Sequence, residues 1–574
     1  MKKGILFCIL FVVNTTNLIS QSTLIKNTTI IDVVKEKIIP NQNILIDGET
    51  ISAISSKNIK VKENTIIIDG TDKFILPGMI DTHIHFFQTG SLYTRPDALD
   101  LKHVFSYEDE IQFAKDIIPD NFKRYLRLGI TSVMDMGGPF FNFTIRDSIA
   151  KNDVSPNVYV TGPLFSPYQP KAFSELEDTP IKQINSIAQA TALFNKMISY
   201  KPDFIKIWYI TSKKFPAEKT YPIVKHIASL THKNGLPLAI HATDLKTAKL
   251  AIKAGANILV HSVRDEIVDK EFIDLLKNNS VTYIPTLIVS KNYGKSFLGK
   301  PDNHPQDLAF AHPSVYRSLT DMNKLNDTEV PERIRKLRKD RKWLERRYQK
   351  ADSIMFLNLK ILTDNKINIA TGTDAGNIGT IHASSYIQEI EAMQKSGISN
   401  MNIIKASTLN AAKGFGLDNK LGSITEEKLA DLIILNKNPI ENIQNLNTIY
   451  EVIKSGKVLD IKNLIQETPE QIVQRQVNAY NARDINAFMA TYADDIKIYH
   501  FPDKLVLDGK EKMRQQYKSL FERVPNLYCE IKNRITLDNK VVDREHVRIN
   551  DKNSDLIAIY EINDGKISKI TFIK

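Results

Sequence analysis

The chain has 574 residues, of which 42% are hydrophobic and 25% are charged. This length and composition exclude a disordered or fibrous protein and predict two or more globular domains. The formal net charge is +11, but no base-reading or aromatic partners accompany the basic residues, so we predict no nucleic-acid role.

Residues 1–21 are predicted to be a secretory signal peptide. Lys2 and Lys3 precede an apolar run at residues 4–13, which is too short to span a bilayer. Its removal takes away two lysines and no acid, so the formal charge falls from +11 to +9. We therefore expect an exported protein, periplasmic or secreted, with no integral membrane segment after cleavage.

The next segment, residues 22–75, is predicted to form a small β-domain. Asp47-Gly48 and Asp69-Gly70 supply turn signals between short apolar runs. The predicted strands are residues 29–33, 43–46, 51–54 and 65–68.

Residues 76–415 alternate apolar strands with helical stretches, which favours a parallel (β/α)8 barrel over a doubly wound sheet. We therefore predict the α/β class. Residues 292–352 form an insertion that we predict to be helical, with its basic part at 333–350 forming one amphipathic helix. The predicted barrel strands include residues 130–134, 157–160, 204–208, 238–240, 258–260, 282–284 and 368–370.

After the barrel, strands are predicted at residues 430–434 and 449–454. A further unit at residues 466–574 has the pattern of an α+β domain of ordinary size. Its predicted helices are residues 470–483 and 485–493, and its predicted strands are residues 496–499, 527–535, 540–549, 556–562 and 567–573.

The strongest chemical signal is His83-Ile84-His85, directly after an apolar strand start. Successive side chains on a strand alternate, so the two imidazoles point to the same side and can ligate one cation. An isolated pair of this kind is weak evidence, because two histidines of the core or surface would give the same pattern.

Four more polar residues lie inside or directly after apolar strands. His241 and His261 each follow one, Asp374 follows residues 369–373, and Lys206 lies within residues 204–208. The carboxyl ends of parallel barrel strands meet on one face, where active sites are built. We therefore predict that these residues and the His83–His85 pair converge at one metal site.

The chain resembles the amidohydrolase superfamily, in its imidazolonepropionase-like and prolidase-like branch. The resemblance implies a composite β-sandwich built from residues 22–75 and 416–462, beside a barrel over residues 76–415. The matching stretches are residues 76–85, 129–135, 372–376, 420–424 and 429–433.

By this resemblance, His83 and His85 are ligands of the more buried metal, and His241 and His261 are ligands of a second. Lys206 falls where two-metal members carry a carboxylated lysine that bridges both ions. An apolar strand lowers the pKa of the lysine amine in the direction that carboxylation requires. We therefore expect two Zn²⁺ ions per chain and a carboxylated Lys206. The alternative is a lysine in a salt bridge inside a single-metal barrel.

The activity expected from the resemblance is hydrolysis of an amide C–N bond by metal-activated hydroxide. Asp374 would act as metal ligand and proton shuttle, taking the proton from the nucleophile and giving it to the leaving nitrogen. The substrate is expected to be a small molecule or a dipeptide, as in a prolidase-like dipeptidase.

Two residues are weaker candidates for substrate contacts. His382 follows the metal aspartate on the same loop. Arg264 comes three residues after His261 and would either meet a substrate carboxylate or pair with Asp265.

The C-terminal unit resembles nuclear-transport-factor-2-like domains of the SnoaL type, on residues 477–484, 488–495 and 509–511. Such domains are enzymes, binding pockets or dimerisation modules. Because no convincing acid–base pair is visible, we expect a binding role or a homo-oligomer formed through this domain.

Two other functions stay open from the sequence. The first is a single-metal hydrolase or deaminase of a cyclic amide or heterocycle, in which Lys206 would not be needed for metal binding. The second is a metal-binding scaffold without catalysis, which the complete set of six metal-binding positions disfavours.

Overall fold

The computed structural model describes residues 22–149, 154–326, 328–550 and 552–574. The predicted signal peptide lies outside the described residues. Within the described part of the chain, no helix is both long and apolar enough to cross a membrane.

The described part of the chain begins with five strands that pair in both antiparallel and parallel fashion. β1 pairs with β2, and β2 pairs with β3 across a turn at Gly48, whose φ of 62° suits glycine. The predicted strands overlap the observed ones, which extend further. The five strands are β1 (Ser22–Asp32), β2 (Lys37–Asp47), β3 (Thr50–Ser55), β4 (Ile66–Asp69) and β5 (Phe74–Pro77).

Ten short strands follow, and they form two parallel sheets. One sheet has the order β6-β7-β8, and the other has the order β10-β9-β11-β12-β13-β14-β15. These strands are β6 (Met79–Ile84), β7 (Ile130–Asp135), β8 (Asn157–Val160), β9 (Leu164–Ser166), β10 (Ile181–Gln183), β11 (Ile205–Ile207), β12 (Leu238–His241), β13 (Ile258–Val260), β14 (Thr282–Ile284) and β15 (Asn368–Ile369).

Hydrogen bonds connect both edges of the three-stranded sheet to the seven-stranded sheet. The Thr82 amide donates to the Thr371 carbonyl at 3.0 Å, beside β15. On the other side, the Asp203 amide donates to the Val160 carbonyl at 3.0 Å. Buried aliphatic side chains such as Ile240 fill the space between the strands and the surrounding helices.

Helices connect and surround the parallel strands, which gives the mixed α/β class that the sequence predicts. Local signals set their ends: the Asp244 side chain accepts from the Thr247 amide at the start of α6, and Gly255 ends that helix with a φ of 117°. The first seven helices are α1 (Tyr107–Arg127), α2 (Phe141–Ile149), α3 (Lys171–Ser174), α4 (Ile187–Ile198), α5 (Ala217–Lys233), α6 (Leu245–Ala254) and α7 (Lys270–Asn278).

The insertion before β15 is helical, as predicted, but its basic part is not one helix. Asp340 ends α11, and its carboxylate caps α12 by accepting from the Trp343 amide at 3.1 Å. The prediction of one helix over 333–350 is therefore wrong. The helices here and beyond are α8 (Val289–Phe297), α9 (Pro305–Phe310), α10 (Pro313–Ser318), α11 (Glu332–Lys339), α12 (Arg341–Asp364), α13 (Ser385–Lys395), α14 (Asn400–Ala406) and α15 (Leu409–Gly414).

Strands from late in the chain join the sheet formed at its start. These are β16 (Leu432–Leu435), β17 (Ile449–Lys454) and β18 (Lys457–Leu459). β16 pairs antiparallel with β5, and the sheet order is β18-β17-β16-β5-β1-β2-β3, with β4 beside β1. A cluster of buried isoleucines including Ile25, Ile75 and Ile434 packs on this sheet. The two segments that the sequence assigns to one composite unit therefore share one sheet.

The C-terminal unit packs three helices on a six-stranded sheet with its own hydrophobic core. Thr468 and Gln471 cap the first helix reciprocally. The predicted helix over 485–493 ends early, and strand β20 and helix α18 were not predicted. The elements are α16 (Pro469–Ala482), α17 (Ile485–Ala490), β19 (Tyr492–His500), β20 (Lys504–Asp508), α18 (Lys510–Arg523), β21 (Tyr528–Leu537), β22 (Lys540–Ile549), β23 (Lys552–Asn563) and β24 (Lys566–Ile573).

The two parts of the chain meet through a carboxylate held by two arginines. Glu467 accepts from Arg124 of α1 at 3.1 Å and from the Nε of Arg475 of α16 at 2.8 Å. Arg475 also donates to the carbonyl of Leu308 in α9. The C-terminal unit is thereby fixed to the helical layer around the parallel strands.

Candidate metal centre

The carboxyl ends of the parallel strands surround a cavity of about 840 Å³. β6 supplies His83, β11 supplies Lys206, β12 ends at His241, and the loop after β13 begins with His261. The loop after β15 carries Asp374. All six side chains predicted as metal ligands line this one cavity: His83, His85, Lys206, His241, His261 and Asp374.

Three potential metal-donor atoms lie close together, one each from His83, His85 and Asp374. The two Nε2 atoms are 3.3 Å apart, and each lies 3.1 Å from Asp374 Oδ1. A cation bound about 2.1 Å from each donor brings such atoms roughly this close to one another. The spacing therefore fits a metal ion held by these three residues.

His261 and His241 stand next to this group. The His261 ring centroid lies 4.9 Å from that of His83 and 4.3 Å from that of His241. One donor atom each from His83, His261 and Asp374 fall within 4.8 Å of one another. The cavity therefore offers nitrogen donors on two sides of Asp374.

Neighbouring groups fix the orientation of two of these rings. His85 Nδ1 lies 2.8 Å from the Gly137 carbonyl, and His261 Nδ1 lies 2.7 Å from Thr286 Oγ1. For His85 this leaves Nε2 to face Asp374, the arrangement in which imidazoles usually bind metals, whereas in His261 Nδ1 itself lies 3.9 Å from Asp374 Oδ2.

Lys206 is an unusual residue for a buried cavity, because its side chain normally carries a positive charge. Only 2% of the residue is exposed, and its Nζ has no hydrogen-bond partner among the described residues. A buried ammonium without partners is costly, and burial lowers the pKa of Lys206 to about 7. The amine is thus neutral in a large fraction of molecules near pH 7, as carboxylation by carbon dioxide requires.

The charges of the other side chains suit metal binding. Burial lowers the pKa of His83 to about 4 and also lowers the pKa values of His241 and His261. Burial acts to raise the pKa of Asp374, but His83 and the other histidines outweigh it and hold that pKa well below its usual value. Neutral imidazoles beside a carboxylate are a ligand set for Zn²⁺.

Two ligand positions have unusual backbone conformations. His261 has a φ of 77° and Asp374 a φ of 63°, in the left-handed region that residues other than glycine seldom adopt. Such conformations cluster at functional sites, where the surrounding structure over-determines them. Here they direct both side chains into the cavity instead of along the strand pleat.

A network that the sequence did not predict holds Asp374. Asn377 Nδ2 donates to Asp374 Oδ1 at 2.7 Å, and the Asn377 side-chain oxygen accepts from Arg95 and from the Tyr293 hydroxyl. Arg95 is 282 positions away from Asn377. Position in the sequence gave no sign of this contact, although Asn377 lies three residues after the predicted ligand.

Two further buried carboxyl groups, also missed from sequence, fix the loops that carry the ligands. Asp81 accepts from the amides of His83 and Thr373, and Asp135 accepts from the amide of Phe86. Burial raises the pKa of Asp81 to about 7 and that of Asp135 to about 6. Asp81 lies in β6, the strand of His83, and Asp135 ends the neighbouring strand β7. These positions could have pointed to both carboxyl groups from the sequence.

His382 does not lie where the sequence placed it. It is 1% exposed, and its ring nitrogens are 3.0 Å from the Tyr125 hydroxyl and 2.8 Å from the Gln88 carbonyl. It is not among the described residues that line the cavity. Both nitrogens are already engaged, so we do not include His382 among the proposed substrate contacts.

Arg264 lies at the cavity mouth, where Arg347 of α12 also lines the wall. Arg264 donates to Ser290 Oγ at 3.0 Å, and among the described residues it forms no ion pair with Asp265. The Asp265 carboxylate instead accepts from the Leu245 amide at 3.1 Å. Of the two sequence-based alternatives, the pairing with Asp265 is therefore not the one in the structure.

Comparison with protein families supports the assignment of both parts of the chain. Residues 74–459 match the amidohydrolase family, and residues 473–570 match the SnoaL-like domain. The first match covers well over half of the chain, so the protein belongs to the amidohydrolase family.

Known relatives agree with this membership. A 5-methylthioadenosine/S-adenosylhomocysteine deaminase of Thermoanaerobacter pseudethanolicus is 22% identical over 464 residues, covering 78% of this chain and 92% of that protein. An imidazolonepropionase of Picrophilus torridus is 23% identical over 442 residues, covering 75% and 95%. The solved structure of a Xaa-Pro dipeptidase with bound methionine superposes with a TM-score of 0.58 at 24% identity, covering 76% of this chain and all of that one.

The chain is accordingly an enzyme, a metal-dependent hydrolase of C–N bonds that acts on a small molecule. This membership excludes a non-catalytic metal-binding scaffold as the function of residues 74–459.

Proposed function

We propose that this amidohydrolase cleaves the amide bond of a dipeptide or N-acyl amino acid with two zinc ions and a carboxylated Lys206. The observation that carries the proposal is the Lys206 Nζ, which has no hydrogen-bond partner among the described residues and is buried in the same cavity as four histidines and Asp374. A carbamate on this nitrogen would supply the second carboxylate that two adjacent cations need.

His83, His85 and Asp374 would hold one ion, His241 and His261 the other, and Lys206 would lie between the two groups. Bound zinc lowers the pKa of water and polarises a carbonyl group. Asp374 would accept the proton released by the attacking water at its Oδ2 and transfer it to the leaving nitrogen. The hydrogen bond from Asn377 engages Oδ1, which leaves Oδ2 for proton transfer.

A free carboxylate is the substrate feature that the cavity mouth favours. Arg264 and Arg347 line the same wall, and both side chains are exposed to solvent. Two guanidinium groups repel unless an anion lies between them. Arginine binds carboxylates through two parallel hydrogen bonds, so the carboxylate of an amino-acid product fits this wall.

The same wall has acidic residues, but their carboxylates have other partners. Asp244 accepts from the Thr247 amide at 2.9 Å, and Asp265 accepts from the Leu245 amide at 3.1 Å. Both therefore serve the start of α6.

The proposal includes three further points that stand on sequence or on indirect observations. We expect β6, β7, β8 and β11 to β15 to form one closed eight-stranded barrel, because hydrogen bonds join both edges of the three-stranded sheet to the segments beside β11 and β15. Export after cleavage of residues 1–21 rests on the composition of that segment. A homo-oligomer through the C-terminal domain rests on its resemblance to domains that dimerise.

The second candidate is a deaminase or cyclic amidohydrolase with a single metal. It is favoured by the relatives that are a nucleoside deaminase and an imidazolonepropionase, each matched over most of its length. In that case a substrate carboxylate is not required, and Lys206 is not needed for metal binding.

Matched substrate pairs separate the two candidates. We would compare N-acyl amino acids and dipeptides with their C-terminal amides, beside dihydrouracil and adenosine as a cyclic amide and an aminated heterocycle. We expect hydrolysis of the free acids, with kcat/KM at least tenfold higher than for the amides.

Arg264→Ala should remove most of that preference, because a hydrogen bond to a charged group contributes about 1.5–3 kcal/mol. Arg341→Ala, an exposed position on the same helix as Arg347, is the control and should keep the preference. Turnover of dihydrouracil or adenosine without turnover of any linear amide would contradict the proposal.

A further inference from the structure

Two aromatic side chains lie beside the metal centre and take no part in the proposed hydrolysis. The ring centroid of Phe87 lies 6.1 Å from that of His85, and the ring centroid of Trp208 lies 6.2 Å from that of His241. Both pairs meet edge to face, at interplanar angles of 85° and 77°. An apolar ring therefore adjoins one proposed ligand of each metal ion.

The positions of these two rings follow from the alternation of side chains along an extended chain. Phe87 comes two residues after His85, and Trp208 comes two residues after Lys206. Side chains two residues apart point to the same side, and both aromatic side chains line the cavity of the metal centre. Each is half-buried, so part of its surface is left for a ligand to contact.

Further apolar side chains extend this aromatic surface. Trp208 packs against a buried cluster that includes Leu164 and Phe173. The segment from β7 to β10 contributes six described residues to the cavity lining, none of them charged: Met136, Gly137, Leu164, Phe173, Pro180 and Ile181. We call these six residues, together with Phe87 and Trp208, the apolar wall. It offers no counter-ion to a charged group, and it gains from covering an apolar one.

The apolar wall and Arg264 lie on different sides of a metal ligand. Strand β12, which ends at His241, lies between β11 and β13 in the sheet. Trp208 directly follows β11, whereas Arg264 comes four residues after the end of β13. An amide held at the metal centre with its carboxylate toward Arg264 would therefore direct its acyl group toward Trp208.

We propose that the apolar wall binds the acyl part of the substrate, and that this part carries an apolar ring. The substrates are then N-acyl amino acids with such a ring in the acyl group. This inference rests on the proposed function, which assigns the substrate carboxylate to Arg264. Edge-to-face or offset packing on Phe87 and Trp208 favours a ring over a small acyl group.

Binding can be measured apart from turnover with N-benzenesulfonylglycine and N-methanesulfonylglycine on the zinc-loaded full chain. The two compounds share a carboxylate and a sulfonamide that amide hydrolases do not cleave, and they differ only in phenyl against methyl. Isothermal titration calorimetry should give a Kd at least tenfold lower for the phenyl compound. Equal Kd values, or binding of neither compound, would overturn the proposal.

Trp208→Ala should reduce the tenfold preference to threefold or less, because the ring beside His241 is lost. Phe87→Ala removes the ring beside His85 and serves if Trp208→Ala fails to fold by circular dichroism. The matched control is Tyr450→Ala, which removes a 40% exposed aromatic side chain from β17 and should keep the preference. A full preference in folded Trp208→Ala and Phe87→Ala proteins would contradict the role of the apolar wall.

Trp208 can also report its own contact with the ligand. The chain has two tryptophans, so Trp343→Phe leaves Trp208 as the single one and keeps a ring beside Arg347, whose guanidinium lies 5.4 Å from the Trp343 ring centroid. We expect the phenyl compound to change the fluorescence of Trp208 saturably, with the calorimetric Kd. Binding by calorimetry without a change in this fluorescence would place the ligand elsewhere and overturn the proposal.

Hydrolysis distinguishes a failure of this inference from a failure of the proposed function. N-benzoylglycine should be cleaved with a kcat/KM at least tenfold higher than that of N-acetylglycine. Equal cleavage of both would leave the amide hydrolysis in place and contradict the ring preference. Tighter binding of the phenyl sulfonamide without cleavage of any linear amide would contradict the proposed reaction and support the apolar wall.

Discussion

Two cavities in the described part of the chain each contain a buried carboxyl group, and they shift the pKa of this group in opposite directions. At the metal centre, histidines around Asp374 outweigh the effect of burial and keep its pKa low. In the C-terminal domain, tyrosines surround Glu545, and burial raises its pKa to about 7. The surroundings of Asp374 favour the ionised carboxylate, which can bind a cation, whereas the surroundings of Glu545 favour the neutral carboxyl group. Burial alone therefore does not decide the charge, and the neighbouring side chains do.

The largest expected effect is at the metal centre. Asp374→Asn keeps the size of the side chain but removes both the negative charge and the proton acceptor. General acid–base catalysis contributes roughly 10²–10⁴-fold, so we expect kcat/KM to fall about 10³-fold or more with any substrate of the wild type. Steady-state kinetics at saturating zinc checks this.

The control for this substitution is Asp364→Asn, an exposed carboxylate paired with Lys360 at the end of α12. It should leave kcat/KM within a factor of about two. Equal activity of Asp374→Asn and Asp364→Asn would remove Asp374 from the mechanism.

Asn377→Ala tests whether the partners of Asp374 set its position. The Nδ2 donor to Asp374 disappears, and Arg95 and Tyr293 lose their shared acceptor. Groups that orient metal ligands typically contribute 10–100-fold to metal affinity. We expect a loss of that size in zinc titrations against a chelator, with little change for Asn463→Ala in an exposed turn. Unchanged affinity would show that Asp374 is held by its backbone alone.

Glu467 lies where the C-terminal unit contacts α1. Like Asp374, it is a carboxylate whose pKa is held low by neighbouring side chains although burial acts to raise it. Burial acts to raise its pKa, but Arg475 and Arg124 lower it to about 2. Because the folded pKa lies below the ordinary value of about 4.5, its stabilisation is complete above pH 4.5 and is lost between pH 4.5 and 2.

Glu467→Gln should therefore lower the free energy of unfolding by about 2 kcal/mol at pH 7, discounted from the full pKa shift because the side chain is partly exposed. The deficit should shrink toward pH 2. Thermal or urea unfolding from pH 7 downward measures it, with the exposed Glu470→Gln as control. A deficit that does not change with pH would contradict the assigned ionisation.

Glu545 should show the opposite dependence. Its folded pKa is raised, so the folded state binds the proton more strongly and stability falls as pH rises from about 4.5 to 7. Tyr560, Cys529, Asp543 and Arg534 surround this group, and Arg534 is already paired with Asp543 at 2.7 Å.

Glu545→Gln should thus increase the stability of the C-terminal domain by about 1–2 kcal/mol at pH 8 and change it little at pH 4. Unfolding followed at both pH values is the measurement. A variant that is less stable at pH 8 would show that the ionised form of Glu545 is the stabilising one.

The sequence predicted which six side chains converge on one cavity better than it predicted the contacts around them. His83 and His85 alternate on one strand, and Lys206, His241, His261 and Asp374 each mark an apolar strand, so their convergence follows from parallel strands alone. Asn377, Arg95 and Tyr293 could not be found in this way, because their contacts join residues far apart in the sequence. His382 was misplaced for a related reason: its neighbours Tyr125 and Gln88 come from elsewhere and turn the ring away from the cavity.

For the fold, too, the overall pattern was predicted better than the local details. Alternating strands and helices predicted the α/β class and several strand positions, such as β8 and β13, to the residue. The break between α11 and α12 was missed because the helical spacing of apolar residues continues across Asp340. The cap that Asp340 makes on the Trp343 amide competes with that spacing and decides the outcome.

The central claim is the two-metal site bridged by Lys206. The most direct test is the zinc content per chain of protein prepared with zinc and bicarbonate, compared among wild type, Lys206→Ala and Lys350→Ala, whose lysine lines the same cavity. We predict two ions in the wild type and in Lys350→Ala, and one or none in Lys206→Ala. One ion in all three proteins would contradict the claim and favour the single-metal hydrolase.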